Sequence, residues 1–277
     1  MSLSQPCMRT NYKKIASYAV KALFLELKSY PKPGLVSFVD SGAHNDMNAS
    51  TFYKSLFTLR NYFSQVVEHA NKGCDFLTLK KLAIQAENTM LRATNDINTH
   101  KGAIFALGLM SATLASFDDV IDLSDLKESF MSQWQKPLQM HDTLIPKSRQ
   151  QQREKYNIKG AKDLAIDGYS IVFDYFEEFV YNYKDNGLNI SIANAYGYLM
   201  QNMDDTNILN RCGYDTLIYA KNRSKDLLNC QSTELLNNAV SVHREFSSAN
   251  ISPGGVADMI ALLLLLGQYY YKDLVWQ

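Results

Sequence analysis

The stretch whose reading decides the fold is FYKSLFTLRNYFSQVVEHA, residues 52–70. Its apolar residues Phe52, Leu56, Leu59, Phe63, Val66 and Ala70 stand 4, 3, 4, 3 and 4 positions apart. That spacing puts all of them on one face of a helix. Leu79, Ala83, Ala86, Met90 and Ala93 repeat the pattern a few residues later.

Working outward, the same period predicts helices near 11–29, 101–116, 121–135, 160–182, 189–202, 214–228, 232–247 and 255–271. No alternating strand stands out, and no strand leads through a glycine-rich loop into a helix, which argues against a Rossmann or P-loop fold. The segment KPLQMHDTLIPKSRQ, 136–150, reads as an irregular connection. The expected architecture is all-α: one domain over residues 1–277, a bundle of about ten helices, with a polar cleft formed by helix N-termini.

Lys plus Arg equals Asp plus Glu at 28 each, so neither a basic nucleic-acid surface nor an acidic tail is indicated. Cys7, Cys74, Cys212 and Cys230 are scattered and show no metal-ligand or disulfide pattern, which suggests a cytoplasmic protein. The most apolar run, MIALLLLLG at 259–267, is shorter than the ~20 residues that span a bilayer and reads as the most buried helix.

The polar residues cluster in four blocks: PKPGLVSFVDSGAHNDM (31–47), NTHKGA (98–103), DDTNILNRCG (204–213) and SPGGVAD (252–258). Taken singly, each has an ordinary explanation. Asn98 or Thr99 is an adequate N-cap, as is Ser252. Lone lysines and paired aspartates are usually solvated, and a lone histidine is more often structural than catalytic. Together they place a glycine or cap residue, with an acid, an amide or a base, beside an apolar helix each time. Three of them open helices, at 48, 101 and 255. Helix starts carry free N–H groups and partial positive charge, so their convergence suits an anion. Asp46, Asp205 and Asp258 are candidate ligands for Mg²⁺ or Mn²⁺, and Lys101 and Arg211 for phosphate. Residue chemistry thus leads to a metal–nucleotide or related phosphate site in a helical protein.

The segments PKPGLV…GAHNDM, NTHKGAIF, DTNILNRCG and SPGGVAD resemble, in order, the signature segments of the triphosphoribosyl-dephospho-coenzyme A synthases. The likeness runs over roughly residues 11–270. It implies a transferase that moves the 5-triphosphoribosyl group of ATP to the 2′-hydroxyl of 3′-dephospho-coenzyme A and releases adenine. Its product is the prosthetic-group precursor of the acyl carrier protein of citrate lyase or malonate decarboxylase. The implied partners are ATP and 3′-dephospho-coenzyme A, with no nucleic acid and no membrane; a homodimer is compatible with the sequence. His44, Asp46 and His100 are then the candidate bases. Lys32, Asn98, Thr99, Lys101, Gly102, Asn207, Arg211, Ser252, Gly254 and Gly255 are the candidate substrate contacts. Ser37 and Asp40 stand where the family usually has Asp and Asn, and Ser148 and Arg149 fall at its His–Gly pair. A relative using ATP with another acceptor, and an ATP-binding regulator without catalysis, share the same blocks.

Overall fold

The computed structural model describes residues 8–141, 146–228, 232–272 and 274; Cys7 and Cys230 lie outside them. Thirteen α-helices follow one another, and no strand occurs among the described residues. They are α1 (Met8–Lys28), α2 (Ala49–Ala70), α3 (Phe76–Ala93), α4 (Lys101–Ala115), α5 (Leu123–Met140), α6 (Lys147–Lys155), α7 (Ala161–Ile166), α8 (Ser170–Asn186), α9 (Leu188–Asn202), α10 (Thr206–Cys212), α11 (Tyr214–Arg223), α12 (Ser232–Ser248) and α13 (Gly254–Tyr270). The all-α expectation holds, with a few more helices than ten.

The two helices apolar on every side form the centre. In α4 every residue from Ala103 to Ala115 is buried except Phe105, and in α13 so is every residue from Met259 to Tyr269. A helix without a polar face must be surrounded. Here α4 packs on α2 and α13, and α1 lies across α2 and α13. The leucines at 262–266 are wholly buried, each contributing roughly 1.5–3 kcal/mol of transfer free energy. The α2 stripe faces this core from Leu56 onward, while Phe52, its first member, is only half-buried. Asn48 starts α2 by accepting from Ser50 N and Thr51 N, which uses up those donors.

Three sequence readings need correction. The helix expected at 121–135 runs on through Pro137 to Met140 as α5, and α6 takes up 147–150 of the expected loop, of which 142–145 lie outside the described residues. Leu126, Phe130, Trp134 and Leu138 form one buried face, and that burial outweighs the single hydrogen bond a proline removes near a helix end. The helix expected at 160–182 is broken between α7 and α8, where Gly168 (φ +68°) and Tyr169 (φ +51°) turn left-handed. A Cβ on Gly168 would lie 2.7 Å from Met131 Cγ, so the turn fits closely onto α5. Finally, the helix expected at 214–228 ends at Arg223 and tightens into a 3-10 turn over Ser224–Leu227.

No helix among the described residues is long and apolar enough to cross a membrane.

Candidate active site

A cavity of about 480 Å³ opens where the starts of α4, α10 and α13 meet the 31–47 loop and one side of α1. Close backbone packing places the loop. Gly34 is left-handed (φ +72°), and a Cβ there would lie 2.0 Å from Ile251 O, one residue before Ser252. Asp40 accepts from Gly42 N at 3.0 Å and pairs with His243 Nε2 at 2.9 Å. Ser37 Oγ accepts from Val39 N at 3.1 Å. Both of these departures from the family pattern therefore brace the loop.

The loop delivers His44 to the cavity wall. His44 Nε2 is 2.8 Å from Ser252 Oγ, and Nδ1 is 3.3 Å from both Asp46 Oδ1 and Arg211 Nη1. Arg211 Nη2 donates to Ala43 O at 2.8 Å. Burial and the Arg211 guanidinium hold the imidazole below its usual pKa, against the pull of Asp46. Asp46 itself is largely exposed and does not line the cavity. Asn207 and Arg211, four apart on α10, both line it.

At the start of α4, Asn98 Oδ1 accepts from Lys101 N at 3.1 Å and so supplies the cap. His100 is buried, its Nδ1 2.7 Å from Ser55 Oγ and its ring edge-on to Phe52 at 5.0 Å. Burial, with the nearby Lys32 charge, lowers its pKa to about 3. His100 Nε2 and Thr99 Oγ1 are buried and have no hydrogen-bond partner among the described residues, and both residues line the cavity. Such atoms cost about 1–3 kcal/mol each when unpaired, a cost that a ligand in the cavity would offset. Gly102 is required by proximity: a Cβ there would lie 1.9 Å from Asp258 Oδ2. Asp258 therefore rests on the first turn of α4, taking a hydrogen bond from the Ala103 backbone. Burial, then Asp205 and Glu26, raise its pKa well above the usual carboxylate range.

Four of the candidates have surroundings that the sequence did not suggest. Lys32 is wholly buried, with its ammonium against the Glu26 carboxylate and the Glu26 carbonyl, and it does not reach the cavity. Lys101 lines the cavity but is largely exposed and also pairs with Glu87, so an anion that makes a cation tolerable at a helix start is already present within the chain. Asp205, expected at a metal, is wholly buried; Oδ1 accepts from Asn207 N and Ile208 N, and Oδ2 from Val256 N. A Cβ on Gly255 would lie 2.9 Å from that Oδ2. Asp205 thus ties the start of α10 to the start of α13. Asp46, Asp205 and Asp258 do not converge, and no group of three His, Cys, Asp or Glu side chains does so among the described residues.

Glu26, Phe52 and Arg149 line the cavity and carried no role in the sequence reading. The signal for Glu26 was present: it is the one acid within the apolar run ALFLEL at 22–27. An acid in such a run sits in the core or looks into a cavity. Glu26 and Asp258 are the two carboxylates that both line the cavity and act on one another electrostatically. Two carboxylates beside helix-start N–H groups suit Mg²⁺ carried in on phosphate oxygens.

No solved structure matches the chain. Among curated proteins it is 30% identical to the probable 2-(5''-triphosphoribosyl)-3'-dephosphocoenzyme-A synthase of Acinetobacter calcoaceticus, over 99% of this chain and 96% of that protein. It is 32% identical to the synthase of the same description from Haemophilus ducreyi, over 94% and 89% of the two chains. It is also 32% identical to the probable synthase of Streptococcus mutans, over 91% and 96%. The family described as CitG, ATP:dephospho-CoA triphosphoribosyl transferase, matches residues 12–273. The chain belongs to this family of triphosphoribosyl transferases.

Proposed function

We propose that the cavity binds ATP by its triphosphate along the starts of α4, α10 and α13, and that the enzyme transfers the triphosphoribosyl group to the 2′-hydroxyl of 3′-dephospho-coenzyme A. The new C–O bond forms at the anomeric carbon on the face opposite the N-glycosidic bond. That bond breaks toward adenine, which leaves with the electron pair. Positive charge builds at the anomeric carbon, as in glycoside transfer, and one inverting displacement needs no covalent enzyme intermediate.

Lys101, Arg211, Asn98 and Asn207, with the backbone at Gly254 and Gly255, hold the triphosphate and ribose. Thr99 Oγ1 and His100 Nε2 complete the set, their free polar atoms finding partners in the substrate. His44 is the general base. It stays neutral near pH 7, Asp46 orients it, and Ser252 Oγ at 2.8 Å relays the acceptor proton to Nε2. A positioned base of this kind contributes about 10²–10⁴ in rate. His100 is a poor base near neutrality with a pKa of about 3. Glu26 and Asp258 would hold Mg²⁺, which when bound neutralises triphosphate charge. In cells, we expect the product to serve as the prosthetic-group precursor of a citrate lyase or malonate decarboxylase carrier protein.

The observation that carries this reading is that Thr99 and His100, each with an orphaned polar atom, both line a cavity at the start of α4 in a chain of this family. Chromatography of ATP, Mg²⁺ and dephospho-coenzyme A incubated with the enzyme should show free adenine, and far less with coenzyme A, whose 3′-phosphate crowds the 2′-hydroxyl. Release of ADP or pyrophosphate instead would point to another reaction class.

A further inference from the structure

A second cavity, of about 350 Å³, shares Lys101 and Gly102 with the lining of the first. It lies between α3 and α4 and is closed by the end of α5 and the start of α7. Its walls are apolar, with Leu79, Ala83, Ile84, Ile104 and Phe105 among them. The α3 stripe shows the cavity from the other side. Leu79, Ala86 and Met90 are buried as the spacing requires, but Ala83 is only half-buried and Ile84 is 47% exposed. Among the described residues, no helix fills the space over them.

The mouth carries the Lys101–Glu87 ion pair and, beside it, Lys162. Lys101 borders the main cavity, the apolar cavity and a third, open groove of about 730 Å³ along α6 and α7. Lys162 borders the apolar cavity and the groove, and Arg149 the groove and the main cavity. Lys162 Nζ donates to the His141 carbonyl, and neither Lys162 nor Arg149 has an acidic partner among the described residues.

We propose that the apolar cavity holds the pantetheine arm of the acceptor, and that Lys162 at its mouth, with Arg149 along the adjoining groove, holds the acceptor's diphosphate. This rests on the transferase reading. The acceptor's 2′-hydroxyl must reach the ATP ribose in the main cavity. Its long arm leaves the same adenosine through the 5′-diphosphate, so it must pass cations and then enter apolar space, in that order. The adenine of ATP is the competing occupant, and the order of groups argues against it. Adenine is joined to ribose directly, with no phosphate between, so cations at the mouth would face nothing anionic. Pantetheine is a narrow chain of methylenes, two amides and a thiol, which suits apolar walls with a polar rim.

The test uses 4′-phosphopantetheine, the arm with one phosphate, on the full chain. It should inhibit adenine release competitively against dephospho-coenzyme A and not against ATP. Ala83→Phe fills the cavity from a half-buried position. It should raise the KM for dephospho-coenzyme A at least about tenfold, a change of roughly 1.4 kcal/mol, and abolish that inhibition while the KM for ATP stays put. Ile84→Glu, on an exposed wall position, should act the same way and covers the case in which Ala83→Phe folds poorly. Competition with ATP, or variants that shift both KM values together or neither, would overturn the assignment. Absence of adenine release from the parent would instead reject the transferase reading. Calorimetry then decides the cavity separately: phosphopantetheine binding that Ile84→Glu removes supports an arm site, and no binding to the parent overturns it.

Discussion

At the start of α10, Asp205 has both oxygens engaged by backbone N–H groups of two helices, and nothing of it faces open space. At the start of α4, Asp258 rests on the first turn beside a cavity, and its neighbours Thr99 and His100 have atoms with no partner among the described residues. Both are carboxylates held against a helix N-terminus, Asp205 wholly buried and Asp258 half-buried, and desolvation raises the pKa of both. One end is satisfied within the chain and is architecture. The other is left incomplete, which marks it as the candidate site. A helix start attracts anions in either case; what separates the two is whether its donors and neighbours are already used.

The largest expected effects come from exchanging the charge at each place. Asp258→Asn should lower turnover by about 100-fold or more, on the scale of losing a group that acts on developing charge, with a melting temperature close to the parent's. Asp205→Asn should do the reverse in kind. It places an amide NH₂ against backbone donors and should cost roughly 2–4 kcal/mol in denaturant unfolding, as breaking a buried polar network does. A stable, inactive Asp205→Asn would erase the distinction.

His100 sharpens it through pH. Its folded-state pKa is about 3 against an ordinary 6.5, so below pH 6.5 the unfolded chain takes up a proton that the native state refuses. The stability it provides is full above pH 6.5 and falls as pH drops toward 3. By pH 5 the loss is about 2 kcal/mol. His100→Gln should flatten that part of the stability–pH curve in urea titrations.

His44 gives a kinetic counterpart. Its lowered pKa puts the acidic limb of kcat/KM below the ordinary histidine value. Removing the repulsive cation with Arg211→Gln should move the limb up in pH, and removing the attractive carboxylate with Asp46→Asn should move it down. Limbs that stay in place in both variants would exclude His44 as the base. The smallest effect belongs to Lys101→Ala. The ammonium is exposed and paired to Glu87, so the melting temperature should barely change, while the KM for ATP rises by about tenfold or less.

The α2, α4 and α13 helices were legible because their apolar spacing or continuity leaves no other way to bury them. The α7–α8 break was not, because Gly168 and Tyr169 are set by contact with α5 rather than by local sequence. Around the cavity, Asn98, Asn207, Arg211 and Gly254 could be read from glycines and polar groups recurring at helix starts. Lys32 and Asp205 could not be placed: exposure and partner choice depend on which chain lies opposite. Glu26 was hidden by its apolar neighbours, which belong to the core while it looks into the cavity.

The most direct test is the Mg²⁺ dependence of ATP affinity, measured by calorimetry in the parent, Asp258→Asn and Asp205→Asn proteins. The account predicts that Mg²⁺ tightens ATP binding about tenfold or more in the parent, that Asp258→Asn loses the gain, and that folded Asp205→Asn keeps it. Equal ATP affinity in chelator, or a gain lost only with Asp205, would contradict it.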